Sequence, residues 1–145
     1  MIRPLKNTLT LILISAATLT ACKKDKEDIL TVNQENLAGT YTISSIMAKM
    51  GSEEKNVTND MIPEACQRDD EFVLHDDNTF EYNDVGTKCE DDDSFVSEWY
   101  LDNNELVLDN EIFTIEKLSN KGLVLKKTHT GNNMTVTVTY NFNRK

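Results

Sequence analysis

The C-terminal segment of the chain alternates between apolar and polar side chains. Its apolar members are Met134, Val136, Val138, Tyr140 and Phe142. Because successive side chains of a β-strand point to opposite faces, this alternation predicts a half-buried strand whose apolar face lies on a core. Residues 130–133 (Thr-Gly-Asn-Asn) are turn formers, and Leu123 and Leu125 ahead of them share one face. We therefore predict a β-hairpin at this end of the chain.

The same two-residue period recurs from residue 37 onward. Its apolar pairs are Tyr41 with Ile43, Phe72 with Leu74, Phe80 with Tyr82, Leu106 with Leu108 and Phe113 with Ile115, and a further strand spans 95–101. These segments make about eight strands, most of them joined by turns of about two to five residues. Short links force consecutive strands to lie antiparallel, so we expect an all-β fold, an eight-stranded antiparallel up-and-down barrel. A two-sheet sandwich is the competing arrangement.

One connection, from Met50 to Asp70, is longer than the others and shows no clear alternation. A long link among tight turns is more often functional than accidental. Asn59 to Cys66 fits a short helix capped by Asn59 or Asp60. We expect this helix to cover one mouth of the barrel.

The N-terminal segment, residues 1–21, has the pattern of an export signal. Arg3 and Lys6 are followed by an apolar run from Leu9 to Leu19. A run of about a dozen residues is too short to cross a bilayer core of about 30 Å as a helix. We therefore expect a cleaved signal and no membrane-spanning anchor.

The residues from Leu19 to Cys22 (Leu-Thr-Ala-Cys) resemble the lipobox of bacterial lipoproteins. The resemblance implies that the signal is cut before Cys22, that its thiol is diacylated and that the new amine is acylated too. Two or three fatty chains hold a protein on a membrane almost permanently, whereas one holds it marginally. We expect Cys22 to anchor the chain to a bacterial outer membrane. The alternative is an ordinary secretory signal with an incidental cysteine.

Residues 22–35 begin with a charged stretch that cannot bury apolar surface, which predicts a solvated tether. Lys26-Glu27-Asp28 resembles the surface-export signal of Bacteroidota lipoproteins, and a plain spacer on a periplasm-facing lipoprotein is the alternative. Residues 36–145 then form a single barrel domain.

With Cys22 lipidated, two thiols remain, Cys66 and Cys89. An even remainder in an exported chain predicts one disulfide, since that compartment is oxidising. A metal-binding or nucleophilic cysteine is the alternative, but no Cys-x-x-Cys spacing or nearby histidine supports it.

Short motifs spread over nearly the whole of the predicted domain resemble small bacterial lipocalin-like lipoproteins. They are Leu37-Ala38-Gly39-Thr40-Tyr41, Cys66-Gln67-Arg68-Asp69-Asp70, Phe72, Asp77-Asn78-Thr79-Phe80, Cys89, Ser97-Glu98-Trp99-Tyr100-Leu101 and Asn104-Glu105-Leu106. Asn78 and Ser97 stand where the family commonly has glycine. The resemblance implies a small barrel that binds an apolar molecule, or a scaffold of undefined activity. The resemblance implies no catalytic residue and no cofactor for this chain.

Eight aromatic residues are predicted to point into the barrel and to line a ligand cavity. They are Tyr41, Phe72, Phe80, Tyr82, Trp99, Phe113, Tyr140 and Phe142. In a domain of this size the same side chains are also sufficient to fill the interior completely.

Charge is unevenly distributed along a chain whose formal net charge is -10. From Cys66 to Asp93 there are 11 acidic residues and two basic ones, whereas from Lys117 to Lys145 there are six basic residues and no acidic one. The overall acidity argues against nucleic acid as a partner, since phosphate backbones are bound through clustered cations. The basic segment either contacts anionic lipid or balances the acidic strands.

The acidic segments, 69–71 and 90–93, have two interpretations. They form a cation site once the disulfide brings them together, or they form a solvated surface that keeps the protein soluble. The chain has no Asp-x-Asp-x-Asp-Gly loop, so we expect the solvated surface and predict no metal.

No nucleophile with a partnering base stands out by motif, and His75 is out of phase with its apolar neighbours, so no enzyme activity is predicted. We expect a membrane-anchored lipocalin-like protein that binds a small hydrophobic molecule. The alternative is an interaction module with a filled barrel, which acts through its charged surface on a protein or glycan.

Overall fold

Nine β-strands and two short α-helices make up the computed structural model, which describes residues 26–89, 94–131 and 134–145. The helices are α1 (Gln34–Leu37) and α2 (Thr58–Met61), and a 3₁₀ turn spans Ala65–Arg68. The strands are β1 (Gly39–Met50), β2 (Glu53–Asn56), β3 (Glu71–Leu74), β4 (Thr79–Asn83), β5 (Phe95–Asp102), β6 (Glu105–Leu108), β7 (Glu111–Ser119), β8 (Gly122–Gly131) and β9 (Met134–Arg144).

Strand pairing closes the sheet into a ring. From β3 to β9 each strand pairs antiparallel with the next, and β1 pairs with both β3 and β9. The contact of β1 with β9 runs from Tyr41 opposite Arg144 to Met50 opposite Val136. Eight strands therefore form the closed up-and-down barrel predicted from the sequence, with the architecture that the lipocalin resemblance implies, and the sandwich is ruled out. The ninth, β2, pairs with the far end of β1.

A β-bulge in β1 sets which of its side chains face inward. The register with β9 shifts between Ile43 and Ser45, so that Ser44 is the extra residue. An extra residue reverses the alternation beyond it. Tyr41, Ile43 and Ile46 all point into the barrel as a result, although strict alternation would place Ile46 outside.

One end of the barrel is filled by a solid core around Trp99 and Tyr41, both buried. The indole Nε1 of Trp99 donates a hydrogen bond to the backbone oxygen of His75 (2.8 Å), and the Tyr41 hydroxyl donates to the backbone oxygen of Leu37 (2.8 Å). The guanidinium of Arg144 lies over the Tyr41 ring, 5.7 Å from its centroid. The two large polar aromatic side chains at this end therefore both have hydrogen-bond partners, as buried polar groups in native proteins usually do.

The long connection contains a short helix, as predicted, but its bounds and cap differ from the prediction of one helix over Asn59 to Cys66. The helix α2 starts at Thr58 with Val57 at the N-cap, and no side chain caps it. Pro63 separates α2 from the 3₁₀ turn. A proline disfavours helical backbone in the residue before it, and Ile62 leaves the helical region at φ -127° and ψ 78°.

The described part of the predicted tether lies against the barrel. Ile29 bridges to Ser119, and the backbone N–H of Leu30 donates to the oxygen of Leu118 (3.0 Å). The Glu27 carboxylate lies 2.7 Å from the ammonium of Lys117, and this contact lowers the pKa of Glu27. Packing of the chain therefore begins ahead of residue 36, the predicted domain boundary.

The predicted signal, with Arg3 and Lys6, and the lipidation site Cys22 lie outside the described residues. Within the described ranges, no helix has the length and apolarity needed to cross a bilayer.

Candidate functional site: an apolar cavity at one end of the barrel

The end of the barrel opposite the Trp99 core contains a cavity of about 320 Å³. This volume lies at the lower limit for small-molecule sites, which is about 300 Å³. The residues that line it are almost all apolar: Ile43, Ile46, Met61, Ile62, Gln67, Phe72, Tyr82, Leu108, Phe113, Leu125, Tyr140 and Phe142. The arrangement is suited to hold a compact apolar molecule.

Aromatic contacts across strands fix the walls of the cavity. Phe72 on β3 packs edge-on against Tyr82 on β4 (5.1 Å between centroids) and against Phe142 on β9 (5.3 Å). On the facing side, Phe113 packs edge-on against Tyr140 (5.6 Å). Edge-to-face pairs at these separations are favourable, so the walls are pre-formed.

Five of the eight predicted lining aromatics border this cavity: Phe72, Tyr82, Phe113, Tyr140 and Phe142. The other three, Tyr41, Phe80 and Trp99, are absent from its wall and belong to the solid core at the other end. The barrel is therefore filled at one end and hollow at the other.

The aliphatic part of the wall includes residues that the sequence reasoning did not name as site residues. The inward position of Leu108 and Leu125 is predictable from the alternation in their strands. The inward position of Ile46 is not predictable, because the β-bulge that turns it inward leaves no recognisable pattern in the sequence. Met61 and Ile62 come from the long connection, where periodicity gives no guide.

A cover over the cavity mouth is formed by α2 and the 3₁₀ turn, which contribute Met61, Ile62 and Gln67 to the lining. The Thr58 hydroxyl accepts a hydrogen bond from the backbone N–H of Ile46 (2.8 Å) and so ties this cover to β1. The predicted disulfide between Cys66 and Cys89 is present, with 5.5 Å between the Cα atoms. It joins the 3₁₀ turn to the chain ahead of β5, so the cover is held on two sides.

The cavity wall includes three side chains with polar groups, Gln67, Tyr82 and Tyr140, and no charged one. The structure shows no protein hydrogen bond to the Tyr140 hydroxyl or to the Gln67 side-chain amide within the described ranges, whereas the third polar group, the Tyr82 hydroxyl, donates to Asp70. Burial raises the pKa of Tyr140. The hydroxyl therefore stays protonated at neutral pH and is free to donate to a guest molecule.

The disulfide also bears on metal binding. Of the described residues, Glu64, Cys66 and Cys89 bring possible ligand atoms within 4.8 Å of one another. A cysteine ligates a metal as its thiolate, and here the two sulfurs are bonded to each other. This group is therefore not a metal centre.

His75 lies outside the cavity wall. Its imidazole Nε2 is 3.3 Å from the Glu81 carboxylate, and both side chains are substantially exposed.

The predicted acidic run 90–93 lies outside the described residues. On the basic side, Lys117, Lys126, Lys127 and Lys145 each pair with a glutamate.

Bovine odorant binding protein, solved in complex with a selenium-containing odorant, is among the structures similar to this chain. The two are 18% identical over 83% of this chain and 77% of that chain, with a TM-score of 0.41. No protein-family model matches the sequence, and no curated protein matches it either. The strand pairing shows the closed barrel, and the cavity defines the candidate site.

Proposed function

We propose that this protein is a lipocalin-like lipoprotein of the outer membrane that binds a small, uncharged, apolar molecule in its barrel. The observation that carries the ligand-binding proposal is the cavity of about 320 Å³ beneath a disulfide-held cover. This volume lies near the lower end of the range for small-molecule sites, about 300–1,000 Å³. Its occupant is a compact molecule and not a complete membrane lipid.

The wall chemistry supports a neutral ligand. An apolar guest gains free energy as its surface leaves water, at about 25 cal/mol per Å². A carboxylate guest loses several kcal/mol, because this wall has no cation to pair with it. The Tyr140 hydroxyl and the Gln67 amide are suited to one hydroxyl, carbonyl or ether group at the end of an apolar body.

Membrane attachment in this proposal rests on the lipobox resemblance at Cys22. An acylated cysteine there would hold the barrel next to a bilayer, which is the reservoir from which an apolar ligand partitions. The role proposed is therefore to take up or deliver such a molecule at the membrane surface.

The test uses displacement of a neutral fluorescent reporter, N-phenyl-1-naphthylamine, from the purified full-length protein at pH 8. We expect 1-octanol to displace it at least about tenfold more effectively than octanoate, which has the same chain length and a charge. Tyr140→Phe should weaken the binding of 1-octanol by about fivefold, which is the effect of losing one hydrogen bond of about 1 kcal/mol.

A matched pair of variants locates the site. Ile43→Trp places a large ring in the cavity, whereas Ile112→Trp adds the same ring on the outer face of β7, where Ile112 is 55% exposed. We expect the first variant to abolish reporter binding and the second to leave it unchanged. Equal binding by both variants would contradict the proposed site, and stronger displacement by octanoate would contradict the proposed ligand class.

A further inference from the structure

Two buried aspartates lie just beyond the paired ends of β3 and β4. Asp70 is 2% exposed and Asp84 is 6% exposed. The pairing of β3 with β4 ends with Glu71 opposite Asn83, and the same register extended by one position puts Asp70 opposite Asp84. Directly opposed residues on one face have Cβ atoms about 4.5–5.5 Å apart, and like charges there are destabilising.

The two carboxylates differ in their partners. Asp70 accepts two hydrogen bonds. Its Oδ2 accepts from the Tyr82 hydroxyl (2.5 Å), and its Oδ1 accepts from the backbone N–H of Val85 (3.3 Å). Both side-chain oxygens of Asp84 are buried without a hydrogen-bond partner. Among the ion pairs of the described residues, none includes either aspartate.

An unpaired carboxylate in this position is costly. Burial of an uncompensated charge is strongly unfavourable, and buried polar groups in native proteins almost always have partners. The cost is larger beside a second carboxylate. A cation that contacts both groups removes it, since one divalent ion balances two negative charges.

We propose that Asp70 and Asp84 form a binding site for one Ca²⁺ ion at the ends of β3 and β4. Calcium accepts six to eight oxygen ligands in flexible geometry, including bidentate carboxylates, backbone carbonyls and waters. Asp84 supplies two oxygens with no other partner. Asp69, next to Asp70 in the chain, has another partner, since its Oδ2 accepts from the N–H of Thr87 (3.2 Å). Magnesium fits less well, because it requires near-ideal octahedral geometry.

The site is separate from the ligand cavity, because neither Asp70 nor Asp84 lines it. The two are connected through Tyr82, whose ring forms part of the cavity wall and whose hydroxyl donates to Asp70. Because the two sites use different residues to hold their ligands, Ca²⁺ binding and neutral-ligand binding are measured separately.

Calorimetric titration of the full-length protein, first freed of metal with EDTA, tests the site at pH 7.5. We expect one Ca²⁺ per chain, weaker binding of Mg²⁺, and a higher melting temperature in calcium than in EDTA. Asp84→Asn should weaken Ca²⁺ binding by at least about tenfold, because it removes one of the two balancing charges. Asp102→Asn, an exposed aspartate with one hydrogen bond from Asn103, is the matched control and should leave the affinity unchanged.

A crossover in stability tests whether a bound cation balances the two carboxylates. In EDTA, Asp84→Asn should melt above the wild type because the repulsion is gone, and in calcium this order should reverse. The proposal is overturned if the wild type shows no calcium heat and equal melting temperatures in EDTA and calcium. It is also overturned if the two variants lower the affinity equally, as diffuse surface binding would. The wild-type titration decides the question even if Asp84→Asn does not fold.

Discussion

Removal of the disulfide should destabilise the barrel and loosen the cover of its cavity. The bridge joins residues 23 positions apart. On the chain-entropy account, closing a loop of this length restricts the unfolded chain by roughly 3.4 kcal/mol at 25 °C. For a domain of this size, such a loss lowers the melting temperature by roughly 10–15 °C. The double substitution Cys66→Ser with Cys89→Ser is the corresponding perturbation.

The location of the bridge adds a second, local expectation. Cys66 lies in the 3₁₀ turn beside Gln67, which lines the cavity, so loss of the bridge frees one side of the cover. We expect reporter affinity to fall in the double variant even at temperatures where the barrel remains folded.

Urea unfolding of the two proteins, followed by the fluorescence of Trp99, measures the first effect, and reporter titration measures the second. Wild-type protein treated with reductant is the control and should behave as the double variant does. A loss of less than about 1 kcal/mol, together with unchanged reporter affinity, would refute this account of the bridge.

Three further perturbations test the core, a turn and the anchor. Burial raises the pKa of Tyr41 above its ordinary 10, so its stabilising contribution is complete below pH 10 and is lost as the pH rises through the folded-state pKa. Tyr41→Phe should lower the free energy of unfolding at pH 7 by about 1 kcal/mol, because the hydrogen bond to Leu37 is lost. The urea midpoint of the wild type should fall between pH 8 and pH 11, and this fall should be smaller in the variant. An equal fall in both proteins would contradict this expectation. Asn78 has φ 71° and its side-chain amide donates to the backbone oxygen of Trp99 (2.9 Å). Asn78→Ala should therefore lower the free energy of unfolding in urea by about 2–3 kcal/mol, and Asn78→Gly by about half of that, because glycine tolerates positive φ. Equal losses in the two variants would contradict a backbone contribution. Cys22→Ser should release the protein from membranes in fractionation, and full retention would reject lipidation at this residue.

The barrel could be predicted because its strands carry their burial pattern in the sequence. In β9, Val138 is buried at the middle of the alternating run, and Leu123 and Leu125 are buried on β8 as predicted. The turn before Thr79 follows from residue chemistry, since Asn78 takes the positive φ that glycine would otherwise supply.

Other features could not be predicted, because they depend on backbone pairing or on tertiary contacts. All four residues of β2, Glu53–Asn56, are polar and exposed, so the strand exists through its hydrogen bonds to β1 and has no apolar period to detect. The bulge at Ser44 is likewise a property of the register with β9. The short helix α1 (Gln34–Leu37) is capped by the Asn33 side chain and buries Leu37, but a single turn gives too few residues to show a helical period.

The candidate site was predictable only in part. Alternation shows which side chains face inward, but it does not show how far along the barrel the packing stays solid. Trp99 and Tyr41 are large enough to fill their end, whereas the wider end is closed by a connection whose path the sequence pattern does not define. The placement of Asp70 and Asp84 beyond the same end of the β3–β4 pair follows from the register of these strands, which the sequence pattern does not define.

The proposed function requires that the hollow end of the barrel holds an uncharged apolar molecule. Native mass spectrometry of the wild-type protein, extracted from its own membrane, measures this occupancy. We expect a mass increment from a neutral lipophilic molecule that is lost in Ile43→Trp and kept in Ile112→Trp. A bare protein mass in repeated preparations, or an increment that persists in Ile43→Trp, would contradict it.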